Sequence, residues 1–283
     1  MPEYPSTAEA AATIKLIATD LDGTLLRQDK LISSRTLQAL ERAKALGAML
    51  VLVTGRPPRT FLPIARELGV SGLAICSNGA IIYDLDQEAI IQHAPIAPAV
   101  AARLIVALRQ AVPGIYFALE LGLRAGREPD YVAQQLTPSQ DGILIGDALA
   151  LCTEPVTKLI ARHQDFGADA LIEAVHEVAN GEVLATHSGF AFVEISAAGV
   201  HKGWALETLC AKLGIRAEEV IAFGDMPNDL PMLAWAGHGV AVANAHPEVL
   251  QQADEITLSH MEDGVAAVLE RVIASGMLLE QHQ

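Results

Sequence analysis

Aromatic side chains make up only 4% of this 283-residue chain, so large rings cannot build most of its interior. The core must come from Ala, Leu, Ile and Val, which suits sheet strands covered by small-residue helices. Cysteine is scarce too. Cys76, Cys152 and Cys210 are odd in number and widely spaced, which excludes a disulfide framework and a zinc spacing and favours a reduced, cytoplasmic setting. Long apolar runs are missing: no stretch of ~18 residues without charge offers a membrane span. Basic charge is in deficit, with 19 Lys and Arg against 34 Asp and Glu and a net charge of -15. Such a surface repels phosphate backbones and anionic lipid heads, so neither nucleic acid nor membrane is an expected partner. The first residues, Met1 to Ala12, carry no basic stretch ahead of an apolar one, so they are read as a frayed tail rather than a signal.

What is present is a hydrophobic fraction of 51%, enough to bury a substantial core. Its patterning alternates strand and helix. Apolar runs at Ile14 to Thr19, Ala48 to Val53 and Leu73 to Cys76 read as buried parallel strands. Between them lie a helix capped by Ser33 or Ser34 and ending at Gly47, and a second helix from Thr60 to Leu68. The rhythm returns late: helix His201 to Leu213, strand Val220 to Phe223, helix Asp229 to Ala236 and strand Gly239 to Val242. A short helix near Glu248, a strand near Glu255 and a helix from Glu262 to Ala274 follow. The middle differs, with strands expected at Ile90 to His93, Ile115 to Leu119, Lys158 to Ala161, Glu182 to Thr186 and Phe190 to Ile195. Helices Ala99 to Ala111 and Ala168 to Val178 lie among them. The expected fold is therefore α/β: a doubly wound parallel-sheet core (residues 1–84 and 197–283) with an inserted α+β cap domain (residues 85–196).

Open α/β sheets place ligands beyond the carboxyl ends of their strands, and four such places carry unusual residues. Asp20-Leu21-Asp22-Gly23-Thr24 follows the first strand and puts two carboxylates on one turn. A calcium loop of the EF-hand type is excluded, because Leu25 and Leu31 stand at its glycine and bidentate-glutamate positions. Thr54-Gly55-Arg56 offers a hydroxyl and a bare amide to anionic oxygens. Lys202 opens a helix. Gly224-Asp225-Met226-Pro227-Asn228-Asp229 joins a strand to a helix, with Pro227 fit for its first turn. Each place alone has an ordinary explanation: a solvated turn, a common loop, a surface charge, a capped helix. Together their chemistry converges, with carboxylates for a divalent cation, a hydroxyl and amides for phosphate oxygens, and one lysine. Oxygen-only ligands favour Mg²⁺.

In this combination the sequence resembles the haloacid dehalogenase superfamily of phosphatases, and within it the Cof-type sugar-phosphatase group. The matching segments also include Ser77-Asn78-Gly79-Ala80, Lys202-Gly203-Trp204-Ala205-Leu206, Gly239 to Ala245 and Glu262-Asp263-Gly264-Val265. The resemblance implies a Mg²⁺-dependent phosphatase acting on small phosphorylated metabolites. Asp20 would be the nucleophile that forms an aspartyl-phosphate, and Asp22 the general acid/base with its backbone carbonyl on the metal. Asp225 would complete the protein ligands, with Asp229 in or near the metal shell. Thr54, Gly55, Lys202, Asn228 and the amide of Leu21 would hold the transferring group. An insert between Thr54 and Lys202 resembles the cap of small-molecule phosphatases and argues against a mutase or phosphotransferase. Intact Asp22 argues against a slow signalling module. Met226 departs from a frequent polar residue, which would remove one hydrogen bond beside the metal. His201 is read as a surface or capping residue ahead of a phosphate contact, Cys76 as core packing, and Arg124, Arg127 and Tyr131 as a solvated loop ahead of a substrate contact. The substrate's identity and the oligomeric state stay open at this level.

Overall fold

The computed structural model describes residues 13–131 and 142–278; the tail expected at Met1 to Ala12 lies outside them. The chain forms β1 (Leu16–Thr19), α1 (Ser34–Ala45), β2 (Met49–Val53), α2 (Pro58–Glu67), β3 (Leu73–Cys76), β4 (Ile81–Asp84) and β5 (Ala89–His93). It continues through α3 (Pro98–Ala111), β6 (Tyr116–Leu121), β7 (Arg124–Arg127), β8 (Ile143–Ile145), α4 (Ala148–Leu151), β9 (Lys158–Arg162), α5 (Ala168–Val178), β10 (Val183–Thr186) and β11 (Val193–Ala197). The last segment holds α6 (Lys202–Leu213), β12 (Val220–Gly224), α7 (Leu230–Trp235), β13 (His238–Val242), α8 (Pro247–Gln252), β14 (Glu255–Thr257) and α9 (Gly264–Ala274).

Two sheets divide these strands. The first runs β14-β13-β12-β1-β2-β3-β4-β5, parallel as far as β3 and antiparallel in its last two pairings. Its inner strands are apolar on both sides because helices cover both faces. Ile17, Leu50 and Leu52 pack with Leu40 of α1, Phe61 of α2 and Val265 and Leu269 of α9. Leu16, Ala18 and Val51 face the other way, onto Leu206 and Leu209 of α6, Met232 of α7 and Val249 of α8. Local signals set the helix starts as expected: Ser33 caps α1 by accepting from the Thr36 amide, and His201 caps α6 by accepting from Trp204.

The second sheet, β10-β11-β9-β6-β7-β8, has a core of its own, in which Phe117, Leu159 and Ile195 meet Ile105 of α3 and Val175 of α5. The boundary expected at Leu85 needs correction. β5 pairs with β4 in a hairpin of the first sheet, so the chain leaves that sheet only after His93. The strand expected at Ile90 to His93 exists but belongs to the core sheet. Sequence reading also passed over β4, β7, β8 and α4. These are three or four residues long, too short to show a period.

Register positions the site. Thr19 lies opposite both Phe223 and Leu52, so Asp20, Thr54 and Asp225 leave the same sheet edge.

Candidate active site

At that edge Lys202 is almost wholly buried, and its Nζ donates to Asp20 Oδ1 and to Asp229 Oδ1, each at 2.6 Å. Asp229 accepts through its other oxygen from the backbone N–H groups of Asp225 (3.0 Å) and Met226 (2.9 Å). Thr24 donates its hydroxyl to Asp225 Oδ1 at 3.0 Å. Carboxylate oxygens of Asp20, Asp225 and Asp229 all lie within 4.8 Å of one another. Gly23 makes this approach possible. Its φ is +86°, and a Cβ there would stand 2.4 Å from Asp225 Oδ2.

Three buried carboxylates share one ammonium, and the titration of the cluster follows. Burial, together with the charges of Asp229 and Asp225, pushes Asp20 well above the usual carboxylate range despite Lys202. Burial and Asp229 push Asp225 up to about 7, against the Thr24 hydrogen bond. For Lys202, burial opposes the charge, but Asp20 and Asp229 outweigh it and raise the ammonium above its ordinary value.

Asp22 stands apart from this cluster. Its side chain is clamped by Arg56, with Nε at 2.5 Å and Nη2 at 2.7 Å, and by Lys30 at 3.0 Å. Burial would raise its pKa, but these cations outweigh it and hold the carboxyl below its usual range. Leu21 buries its side chain in the core, and its carbonyl accepts from Leu26. Thr54 Oγ1 accepts from the Arg56 amide at 3.1 Å, and Gly55 follows it in the turn. Asn228 donates to Asn78 Oδ1 at 3.0 Å; it lies beside Asp229 and lines the same space. All the sequence-derived candidates therefore gather at one sheet edge.

Above them opens a cavity of about 440 Å³, within the range of small-molecule sites. Its far wall comes from the second sheet and the segments joined to its strands, and includes Arg127, Tyr131, Ile160, Phe190 and Phe192. Arg127 and Tyr131 thus do not form the solvated loop expected of them. Tyr131 is buried, and Arg127 donates to the carbonyls of Glu128, Pro129 and Tyr131. Arg124 does stay exposed, paired with Glu154. Met226 turns out to face this roof: a Cβ on Gly189 would meet its Cε at 3.0 Å.

A family profile described as haloacid dehalogenase-like hydrolase matches residues 17–269. The chain belongs to this family, on its Cof-type phosphatase branch. It is 30% identical over 266 residues to the 5-amino-6-(5-phospho-D-ribitylamino)uracil phosphatase YcsE of Bacillus subtilis, covering 90% of this chain and 94% of that one. It is also 30% identical over 270 residues to the pyridoxal phosphate phosphatase YbhA of Escherichia coli, covering 90% and 97%. A haloacid dehalogenase-like hydrolase from Bacteroides thetaiotaomicron superposes with a TM-score of 0.73 at 32% identity, covering 92% and 99%. Among the described residues no helix is long and apolar enough to cross a membrane.

The residues present suit the divalent cation that haloacid dehalogenase phosphatases generally use. The donors are all oxygen and mutually close, and burial together with neighbouring carboxylate charge raises Asp20 and Asp225 despite Lys202. Several participants escaped sequence reasoning. Arg56 clamps Asp22, Asn78 carries Asn228, and Asn244 donates to the Gly23 carbonyl at 2.8 Å. All three sit inside segments that matched the family, so only their contacts were hidden. Lys158 and Glu194, buried on the roof side of the cavity, carried no such signal.

Proposed function

We propose that this phosphatase hydrolyses phosphomonoesters of small metabolites through an aspartyl-phosphate on Asp20. The observation that carries the reading is the Asp20–Lys202 contact, 2.6 Å and buried, at the floor of a metabolite-sized cavity. Asp20, Asp225 and the backbone carbonyl of Asp22 would hold Mg²⁺. When bound, the ion offsets the repulsion between the carboxylates and an incoming phosphate dianion. Asp229, expected in or near the metal shell, has both oxygens engaged, so we assign it to steadying Lys202 and the backbone at 225–226.

The steps then rest on the chain's own groups. Lys202 and the hydroxyl and amides of Thr54, Gly55 and Leu21 receive the phosphoryl oxygens, with Asn228 beside them. A carboxylate oxygen of Asp20 attacks phosphorus, and the ester P–O bond breaks as the leaving oxygen takes a proton. Asp22, ionised while Arg56 holds it, takes up a proton from solvent as its carboxyl turns from Arg56 to the ester oxygen and gives that proton to the leaving group. Paired as it stands, the Asp22 carboxylate is the base for the second step, drawing a proton from the water that opens the aspartyl-phosphate. The second sheet serves as a cap, inserted between core segments that include the β4–β5 hairpin, and it limits entry to small esters. Phe190 and Phe192, stacked with ring centres 5.2 Å apart, suit an alcohol that carries a flat ring.

Phosphate release from a panel of esters tests this directly: sugar, polyol, nucleotide and pyridoxal phosphates, with and without chelator. Chelation should abolish release and Mg²⁺ restore it, while Ca²⁺, with its larger and looser shell, should support it poorly. Full activity after rigorous chelation would remove the role given to Asp225.

A further inference from the structure

Lys158 lies on β9 of the second sheet, yet its buried Nζ reaches across to the first and donates to the Gly55 carbonyl at 2.6 Å. The same nitrogen contacts Glu194 Oε1 on β11 at 2.5 Å. Glu194 is also buried and accepts from Ser188 at 2.7 Å. Burial would raise its pKa, but Lys158, Ser188 and Asn78 together hold the carboxyl ionised, below its ordinary range. Two charges taken out of water cost several kcal/mol each before their attraction offsets it, so such a pair is poor evidence of a stabilising role.

The contact with Gly55 gives the pair a second consequence. The Gly55–Arg56 peptide is held at both ends, its oxygen by Lys158 and its N–H by Thr54 Oγ1. Because that hydroxyl accepts from Arg56, its own proton is left for another acceptor on the cavity side. Arg56 in turn clamps Asp22. There is no slack around Gly55: a Cβ would lie 2.9 Å from Asn78 Oδ1 and 3.5 Å from Glu194 Oε1.

We propose that Lys158 is a positioning residue by which the second sheet sets the phosphate-binding turn. With Lys158 seated, the Gly55–Arg56 peptide is locked, the Thr54 hydroxyl points its proton at the phosphoryl group, and Arg56 is fixed against Asp22. Without it the Gly55 carbonyl loses its donor while the Thr54 and Arg56 carbonyls keep the Asn78 and Ser77 amides, so the Gly55–Arg56 peptide alone can tilt, and the site reaches working geometry only when the two sheets are docked. The phosphate role of Thr54 and Gly55 rests on the function proposed above; the locking of the peptide does not.

Two variants separate positioning from simple gluing. Lys158→Met leaves Glu194 buried and unpaired, so it should lower both Tm and kcat. Lys158→Met/Glu194→Leu removes both charges, and apolar replacement of a buried pair is often neutral or stabilising. The double variant should therefore regain wild-type Tm while kcat stays down on the order of 10²-fold, the scale of a small misplacement. Amide exchange by NMR gives a readout free of turnover: the Arg56 amide should exchange faster in both variants, with β1 amides still protected. A wild-type protein that hydrolyses no ester would defeat the proposed function but leave the exchange test standing. A double variant that regains both Tm and turnover, or unchanged exchange at Arg56 in Lys158→Met, overturns the inference. If the double variant does not fold, the exchange result on the single variant decides alone.

Discussion

Asp20→Asn should abolish turnover without unfolding the protein. Asn has nearly the same shape but cannot act as the nucleophile, so the rate should fall on the order of 10⁴-fold or more. Stability should hold or rise. The change removes one of three crowded carboxylates, and the Lys202 ammonium keeps Asp229 at 2.6 Å. Phosphate release measured beside a thermal melt checks both halves. Residual turnover above background would mean that another group attacks phosphorus. A collapse of Tm would mean that Asp20 holds the fold together rather than doing chemistry.

Lys202→Met should be the most destabilising single change to the site. The ammonium is the only cation in contact with Asp20 and Asp229 among the described residues, and both partners are buried. Removing one member of a buried charge group typically costs about 3–5 kcal/mol, because the carboxylates left behind are unpaired. Activity should fall on the order of 10²–10³-fold as well, the usual scale for losing a fixed charge-stabilising donor. Added Mg²⁺ should then raise Tm more in the variant than in the wild type, since the ion takes over part of the lost neutralisation. Denaturant melts with and without Mg²⁺ measure this. Unchanged stability in the variant would show that the cluster carries little uncompensated charge.

How much of this was legible in the sequence depended on length and locality. β1, β2, β3, β12 and α6 were readable because each is an apolar run or a capped helix with its own stop signal. The site residues were readable for a related reason: Asp20, Thr54, Lys202 and Asp225 each sit just beyond a readable strand or at the start of a readable helix. β7 and β8 offered three or four residues and no alternation, and the β4–β5 hairpin changed the direction of the sheet where the pattern suggested a new domain. The roles of the charges were less visible still. Asp22 and Arg56 are 34 positions apart, and Lys158 and Gly55 are 103 apart, so neither pairing leaves a local trace. Sequence reasoning treated Asp22 as a general acid/base without fixing its resting charge. The fold adds that Arg56 and Lys30 first keep it ionised, a property set by neighbours and not by the motif.

The most direct test of the account is to look for phosphate on Asp20 itself. Asp22→Asn keeps the nucleophile but removes the group that prepares water for the second step, so the phosphorylated protein should accumulate. An aryl phosphate is the right probe, because its leaving group needs little protonation and the first step still proceeds. Rapid acid quench with a labelled aryl phosphate should trap label on Asp22→Asn at Asp20, with less on the wild type and none on Asp20→Asn. Label that persists on Asp20→Asn, or a complete absence of protein-bound label on Asp22→Asn during turnover, would contradict covalent catalysis by Asp20.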